Sequence, residues 1–269
     1  MKISLCITTY NKPEILDKVL SGLHGMDDTP EEVLVCDDGS GPETTALIRS
    51  WQPVFSVPLR HCWQEDDGWR VAEVRNLGIR RSRYEYLVFL DGDCIPERHF
   101  ISDHRQLAKP GFAIMGDRSH VREAWVPRFQ PDLFTVTRFA IRNRLRKRSH
   151  AFRNPLEKPM EHSFASLTPE ELGHLAVGCN LGAWRKDILQ VNGFNQELTG
   201  WYLEDIELVA RLLASGIKAR KVRRRAIVYH LDHPMRPFDK EAVLEPTREV
   251  FRRKLTSTAK GLKEGTKGK

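Results

Sequence analysis

One stretch decides the fold of this chain: Tyr86-Leu-Val-Phe-Leu-Asp91-Gly-Asp93-Cys94. A near-continuous apolar run of this length is typical of a central parallel strand that is covered on both faces. In open α/β sheets, ligands bind beyond the carboxyl ends of such strands, which is where Asp91 and Asp93 stand. Two hard oxygen donors at this place suit Mn²⁺ or Mg²⁺, although Asp-Gly is also ordinary turn chemistry.

Strands and helices alternate in the first part of the chain. An apolar strand from Ile3 runs into a polar turn at Asn11-Lys-Pro13, and apolar residues at helical spacing follow. A second strand, at 32–36, ends at Asp37-Asp38-Gly-Ser40, and a helix is expected from near Pro42. A third candidate strand lies near 54–62, and a helix over 71–81 leads to the Asp91 strand. This alternation predicts an α/β fold with a mostly parallel central sheet and helices on both faces.

Four motifs carry a resemblance to a known family. They are Asp37-Asp38-Gly39-Ser40, Arg75-Asn76-Leu-Gly78, Asp91-Gly-Asp93 and Gly200-Trp201-Tyr-Leu-Glu204-Asp205. In this order they resemble inverting glycosyltransferases of family 2, which implies the A-type nucleotide-sugar-binding fold. The later half, from Gly178-Cys-Asn180 to Glu204-Asp205, also resembles β-1,4-galactosyltransferases and chondroitin-polymerase-type domains. The resemblance covers about residues 2–118 and 176–233.

Length and composition favour one domain. The 269 residues suffice for a full α/β core. We expect a single glycosyltransferase domain over residues 1–258, with a nucleotide-sugar-binding half (1–118), a variable insert (119–175) and an acceptor-binding, catalytic half (176–258). Residues 259–269 are expected to form a disordered basic tail. The sequence shows no apolar stretch near the roughly 20 residues of a membrane span. The five cysteines lack metal-type spacing and predict reduced, packed thiols in a cytoplasmic protein.

The net charge of +7 is unevenly distributed. Residues 138–158 hold eight Lys or Arg against one Glu, interleaved with aromatic and aliphatic side chains. Such a segment fits a peripheral helix or loop at an anionic membrane, on the inner face of the cytoplasmic membrane, and packing onto the main sheet is the alternative. No nucleic-acid recognition motif accompanies the basic runs, so no nucleic-acid partner is expected.

The resemblance implies a metal centre for a Mn²⁺ or Mg²⁺ cofactor. Asp93 is the expected direct ligand, and Asp91 is expected to contact the donor ribose or the water shell of the metal. His230 follows an apolar strand and matches the position of a third ligand in relatives; His233 is the substitute. A structural role for His230 is the alternative. A neutral imidazole favours Mn²⁺ over Mg²⁺.

The resemblance also implies a site for a nucleotide-sugar donor, with a UDP-sugar as the expected partner. Asp38 is placed against uracil, while Asp37 either shares this role or caps the next helix; ordering the turn is the alternative for either carboxylate. Arg75 is expected to bind phosphate through its rigid fork, or else to pair with an acidic residue of the cleft. The full set of expected donor-binding residues is Thr9, Tyr10, Asp37, Asp38, Arg75, Asn76, Asp91, Gly178 and Asn180.

Glu204 and Asp205 are the expected catalytic pair. Inverting transfer needs one carboxylate that removes the proton of the acceptor hydroxyl, and Asp205 is assigned this role. Glu204 is assigned to position the acceptor, and Trp201 offers a flat face for a sugar ring. The alternatives are a plain helix N-terminus for the two acids and a core position for Trp201.

Together these features predict a metal-dependent inverting glycosyltransferase that moves one sugar to a hydroxyl of a cell-surface glycan, such as lipopolysaccharide, or of a lipid-linked acceptor. Cys94 stands where many relatives carry another acid, so that position offers no second carboxylate to the metal. The Gln-x-x-Arg-Trp segment of processive synthases is absent from the sequence, which favours single-sugar transfer. The alternative functions are a nucleotidyltransferase-like enzyme and a basic nucleic-acid-binding protein.

Overall fold

The computed structural model describes residues 1–129, 152–175, 178–200, 203–234 and 239–263. The first part of the chain alternates strands and helices as the sequence predicts. Its elements are β1 (Ile3–Thr9), α1 (Pro13–His24), β2 (Glu32–Asp37), α2 (Pro42–Trp51), β3 (Leu59–Trp63), α3 (Val71–Arg81) and β4 (Tyr86–Asp91). Neighbouring strands in the order β3, β2, β1, β4 pair in parallel.

The later elements complete this sheet and add a second one. They are β5 (Cys94–Pro96), α4 (Phe100–Leu107), β6 (Phe112–Met115), β7 (Asp117–Val121), β8 (Met160–His162), α5 (Pro169–Leu175), β9 (Asn180–Trp184), α6 (Arg185–Gln190), α7 (Glu204–Ala214), β10 (Lys218–Lys221), β11 (Ile227–Leu231) and α8 (Lys240–Arg253). Short 3₁₀ turns occupy Glu123–Arg128 and Phe164–Ser166.

Within the described residues the main sheet has eight strands in the order β3-β2-β1-β4-β9-β6-β10-β8. Strand β9 runs antiparallel to both β4 and β6, so the sheet is mostly rather than wholly parallel. A smaller sheet has the order β5-β11-β7. Because β5 follows Asp93 directly, this small sheet brings β11 and its His230 to the end of β4.

The main sheet is covered on both faces. Alternate residues of β1 enter different cores: Leu5 packs with apolar residues of α1, and Cys6 packs with those of α3 and α7. Burying each such leucine or isoleucine contributes about 1.5–3 kcal/mol, so the two cores together hold the edge of the sheet rigid. All five cysteines are free and buried, as the sequence predicts.

Two sequence-based boundaries need correction. Strand β3 begins at Leu59 rather than near 54, because Pro58 cannot donate a hydrogen bond to the neighbouring strand. The predicted disordered tail is held up to Lys263: the N–H of Lys263 donates to Asn192 Oδ1 at 2.8 Å, and that of Leu262 donates to the Asn192 carbonyl at 2.9 Å. The asparagine amide therefore fixes a segment that composition alone marks as unstructured.

Residues 138–151 of the basic stretch lie outside the described residues, and so does Trp201. Among the residues that the structure describes, no helix is long and apolar enough to cross a membrane.

Candidate active site

The carboxyl ends of β1, β2 and β4 meet at the candidate site. Thr8 of β1 lies beside Asp91, the last residue of β4. The N–H of Gly92 donates to the Thr8 carbonyl at 2.7 Å, and a Cβ at this position would lie 2.7 Å from the same oxygen. Only glycine permits this approach, so Gly92 is what allows the tight turn between Asp91 and Asp93. The positions of both carboxylates therefore depend on this turn.

Arg75 of α3 joins three parts of the site. Its buried guanidinium donates from Nη2 to Asp91 Oδ1 at 2.8 Å, from Nε to Thr8 Oγ1 at 3.2 Å, and from Nη1 to Glu204. Burial opposes its charge, but the carboxylates of Glu204, Asp91 and Asp205 outweigh this effect and raise the pKa of Arg75. Pairing with cleft carboxylates, the alternative left open by the sequence, is what this side chain does here.

A carboxylate and two imidazoles form a group that can hold a metal ion. Asp93 Oδ1 lies 3.8 Å from His230 Nε2, and Asp93 Oδ2 lies 3.2 Å from His233 Nε2. The donor atoms of the three side chains all lie within 4.8 Å of one another. Ligands at about 2.1 Å from one ion lie within this separation, so the set fits a divalent cation, and its two nitrogens favour Mn²⁺ over Mg²⁺. The structure thus brings both candidate histidines to Asp93.

The electrostatics of Asp91 and Asp93 differ although both are partly buried. Burial raises the pKa of Asp91, and Arg75 opposes the rise only in part. At Asp93 burial also favours the neutral acid, but the hydrogen bond from His233 and the charges of His230 and His233 outweigh it, so the pKa of Asp93 lies below its ordinary value. The same hydrogen bond raises the pKa of His233. Asp93 is therefore the more readily ionised carboxylate of the pair, as a ligand must be.

Glu204 and Asp205, the predicted catalytic pair, stand at the start of α7. Asp205 Oδ1 accepts the N–H of Ile206 at 2.9 Å, and Oδ2 accepts the N–H of Gly178. A Cβ on Gly178 would lie 2.5 Å from Asp205 Oδ2, so only glycine permits this bond. Two backbone donors thus fix the orientation of a partly exposed carboxylate, which has no ion-pair partner among the described residues. The helix start is observed, and the role of Asp205 as a base stays a prediction.

Glu204 has a different environment. Its side chain is buried against Arg75, and burial raises the pKa of Glu204 to about 7. The charge of Arg75 lowers this pKa, while Asp205 raises it further. Two neighbouring acids are therefore held in unlike environments, which is typical of active-site carboxylates.

The end of β2 carries two carboxylates with separate tasks. Asp38 accepts the side-chain amide of Gln64 at 2.6 Å and the N–H of Arg70 at 2.9 Å, and its burial raises its pKa. Asp37 is fully buried, and its oxygens bind the N–H of Ser40 at 2.8 Å and His61 Nε2 at 2.7 Å. Asp37 therefore orders the turn, one of the alternatives that the sequence left open; Gly41 rather than Asp37 is the N-cap of α2.

Thr9 and Tyr10, two of the expected donor-binding residues at the end of β1, differ in exposure. Tyr10 is 46% exposed, and its hydroxyl donates to Asp66 Oδ2 at 3.0 Å. Thr9 is buried. Tyr10 thus exposes part of its side chain to solvent, whereas Thr9 is enclosed at the end of β1.

Two asparagines predicted to bind the donor make hydrogen bonds within the protein. Asn76 is fully buried, donates to the Phe194 carbonyl at 2.8 Å and accepts the Phe194 N–H at 2.9 Å. Asn180, also fully buried, donates to the carbonyls of Asp117 and Ala226 at 2.9 and 2.6 Å. Both amides are used within the protein, and the assignment of these two residues to the donor site stays a prediction.

Sequence reasoning missed three residues of this region. Gln64 donates to Asp38, while His120 and Asp232 lie beside His230. The proximity of Asp232 to His230 in the chain is a signal that could have been used. His120 had none, because only the parallel pairing of β7 with β11 places it opposite His230.

The chain matches two family models. Residues 4–172 match the model of glycosyl transferase family 2, and residues 158–234 match that described as the N-terminal domain of galactosyltransferase.

Named proteins show the same similarity. Validoxylamine A glucosyltransferase of Streptomyces hygroscopicus subsp. limoneus is 31% identical over 228 residues, which cover 80% of this chain and 48% of that protein. Chondroitin synthase of Escherichia coli is 26% identical over 246 residues, which cover 86% of this chain and 35% of that protein. The chain thus spans about half or less of the length of these curated relatives.

Solved structures share the fold. TarS of S. aureus in complex with UDP-GlcNAc superposes with a TM-score of 0.67 at 15% identity, over 94% of this chain and 66% of that one. The mannosyltransferase of Pyrobaculum calidifontis in complex with GDP-Man and Mn²⁺ gives a TM-score of 0.56 at 18% identity, over 85% and 56%. The predicted A-type glycosyltransferase fold is confirmed.

Proposed function

The chain belongs to glycosyl transferase family 2, and from this premise we propose that it is a metal-dependent inverting glycosyltransferase. It takes one sugar from a nucleotide-sugar donor, a UDP-sugar in our assignment, and transfers it to a hydroxyl of a cell-surface glycan or lipid-linked acceptor. One observation carries the proposal: Arg75 bridges Asp91, at the end of the donor-side strand, to Glu204, beside the candidate base. Donor-side and acceptor-side carboxylates therefore share one edge.

The chemistry assigns a task to each carboxylate. Asp205 removes the proton of the acceptor hydroxyl as its oxygen attacks the anomeric carbon of the donor. The bond between that carbon and the diphosphate breaks on the opposite face, so the configuration inverts. Glu204, held by Arg75, positions the acceptor hydroxyls. Asp38 binds the base edge, and Asp91 binds the ribose.

Asp93, His230 and His233 are the residues that would hold the cation. Held by these three side chains, a divalent cation would supply positive charge to offset the charge of the leaving diphosphate. The residues themselves contribute orientation: Leu231 N donates to the Asp93 carbonyl at 2.9 Å, which fixes β11 against the Asp-Gly-Asp turn.

A donor-hydrolysis screen tests this function. Purified protein is incubated with UDP-, GDP- and dTDP-sugars in Mn²⁺, in Mg²⁺ and in EDTA, and released nucleotide is measured. We expect turnover of one nucleotide class, its loss in EDTA, and its loss in Asp93→Ala and His230→Ala. The matched control, Asp67→Asn, changes an exposed carboxylate of a neighbouring loop and should behave as wild type.

Two outcomes would contradict the proposal. Full activity in EDTA would remove the metal role. Release of inorganic pyrophosphate from a nucleoside triphosphate, with no sugar transfer, would favour the nucleotidyltransferase alternative.

A further inference from the structure

The two ring nitrogens of His230 face two different carboxylates. Nδ1 lies 3.2 Å from Asp232 Oδ1, and Nε2 lies 3.8 Å from Asp93 Oδ1. An ionised carboxylate only accepts hydrogen bonds, so the shorter contact requires the proton of neutral His230 to be on Nδ1. That tautomer leaves the lone pair of Nε2 directed toward Asp93.

Asp232 is itself held in place from two sides. Its Oδ1 also accepts a hydrogen bond from His120 Nδ1 at 2.7 Å, and its N–H donates to the Val121 carbonyl at 2.8 Å. The β7–β11 register sets His120 opposite His230, with ring centroids 5.2 Å apart. Asp232 Oδ1 thus accepts both imidazole N–H groups, and the backbone of Asp232 is hydrogen-bonded to the end of β7.

We infer that Asp232 is a positioning residue for the metal centre: it selects the Nδ1–H tautomer of His230 and aims Nε2 at the cation, with His120 supporting Asp232. The inference rests on the proposed function, in which His230 is a metal ligand. Metal-bound histidines commonly donate their second N–H to a carboxylate, which fixes the ring and raises its basicity.

The neighbouring histidine provides a contrast. Among the described residues, the partner of His233 Nδ1 is the carbonyl of Pro234, at 3.2 Å, and the His233 side chain is 40% exposed against 18% for His230. Both imidazoles face Asp93, but within the described residues His230 also has a second carboxylate, Asp232, at its other ring nitrogen. This second carboxylate favours His230 as the primary nitrogen ligand.

The spacing of His120, His230 and Asp232 also meets the geometric requirement for a metal cluster. Both imidazole contacts to Asp232 Oδ1, however, have hydrogen-bond lengths, and both Nδ1 atoms point at the same oxygen. A cation among these three groups would displace both hydrogen bonds. The arrangement is that of an orienting carboxylate.

The experiment compares wild type with Asp232→Asn, Asp232→Ala and His120→Gln. Nitrogen NMR of protein labelled at its histidines reports the His230 tautomer without metal, at about pH 8, where free imidazole is neutral; His230→Gln assigns the signal. Mn²⁺ affinity is measured by electron paramagnetic resonance with UDP present. Asp27→Asn is the matched control. Asp27 also pairs with a histidine, His99, at 3.2 Å, and this pair lies outside the candidate site.

We expect the Nδ1–H tautomer of His230 in wild type and in Asp27→Asn. In Asp232→Asn the amide can present its N–H to Nδ1, so the Nε2–H tautomer should gain population. Mn²⁺ affinity should fall about 10–100-fold in both Asp232 variants and by less in His120→Gln. The amide oxygen in Asp232→Asn could still accept the Nδ1–H hydrogen bond. Asp232→Ala offers neither donor nor acceptor, so it tests the loss of the bond itself.

An Nε2–H tautomer in wild type would overturn the inference. So would Mn²⁺ affinity in both Asp232 variants within about twofold of wild type, well below the loss expected for an orienting partner. In that case intact Mn²⁺ binding by wild type would leave the proposed function standing. Absence of Mn²⁺ binding by wild type itself would overturn the metal role and the inference together.

Discussion

Arg75 and Glu204 are 129 positions apart in the sequence and form a buried ion pair at the centre of the candidate site. The same guanidinium holds Asp91 at 2.8 Å. Three carboxylates, those of Asp91, Glu204 and Asp205, therefore lie around one cation. Loss of this cation leaves the buried acid of Glu204 without a counter-charge.

We predict that Arg75→Gln lowers the free energy of unfolding by about 3–5 kcal/mol, because breaking a buried pair strands a charge. Chemical denaturation measures this. The matched control is Arg98→Gln, whose exposed pair with Asp27 should contribute about 1 kcal/mol or less. In a double-mutant cycle, Arg75→Gln with Glu204→Gln should cost less than the sum of the single changes. An Arg75→Gln loss no larger than that of Arg98→Gln would contradict the prediction.

The raised pKa of Glu204 predicts a pH dependence of stability. Its pKa is about 7 in the folded protein against an ordinary value of 4.5, so the folded state binds the proton more tightly. The stability contributed by this group is full below about pH 4.5 and is lost as pH rises through about 7.

Between acidic and neutral pH, this titration should lower the free energy of unfolding of wild type by on the order of 1–3 kcal/mol. Glu204→Gln should not show this decrease. Urea denaturation of wild type and variant at both ends of this range gives the difference. Glu43→Gln, which changes an exposed carboxyl in the first turn of α2, should leave the slope as in wild type. Equal slopes in Glu204→Gln and wild type would show that Glu204 does not titrate in this range.

Asp205→Asn keeps the shape of the side chain and removes proton acceptance. We expect turnover to fall by about 10² or more, the scale of general-base catalysis, while the donor dissociation constant changes little. Single-turnover kinetics and donor titration separate the two quantities, with Asp67→Asn as control. Donor binding that weakens as much as turnover would place Asp205 in the donor site instead.

Asn76→Ala should act on stability and not on donor binding. The change leaves the N–H and carbonyl of Phe194 buried without their partners, at a cost of about 2–4 kcal/mol. Denaturation measures the loss, and calorimetric titration with a nucleotide sugar measures the donor affinity. A large loss of donor affinity at temperatures where the variant is folded would support the donor-contact role predicted from the sequence.

Five basic residues of the segment outside the described ranges, Arg142, Arg144, Arg146, Lys147 and Arg148, carry our proposal of an anionic acceptor surface. Each contributes about 1 kcal/mol near such a surface. Replacing all five by Gln should reduce sedimentation with anionic liposomes and slow transfer to a lipid-linked acceptor, while donor hydrolysis continues. Added salt should mimic the variant. Liposome binding equal to that of wild type would end the membrane proposal.

Local sequence predicted the site wherever one element carried both the pattern and the chemistry. The apolar run before Asp91 predicts a buried strand, and the Gly-rich acidic turn after it predicts the carboxylate pair. The helix over residues 71–81 was likewise predictable from its periodicity and matches α3. In these cases a short stretch of chain determines its own conformation, because burial and turn geometry act between neighbours.

Roles that depend on partners from distant elements were not predictable. Asn76 looks like a polar residue of a donor motif, yet its amide is used by the backbone of Phe194, which only the packing of α3 against the later half reveals. For Arg75 the sequence left phosphate binding and pairing with an acid both open, and only the packing of α7 supplies Glu204 as the partner.

The sequence by itself determined the family, the A-type fold and the identity of the acids at the strand ends, because these follow from local pattern and motif order. Only the tertiary structure decided which side chains are available for chemistry. Hydrogen bonds and ion pairs join residues up to 129 positions apart, and a polar group already satisfied inside the protein has little left to offer a substrate. His120 illustrates the point: its place beside His230 exists only because β7 pairs with β11.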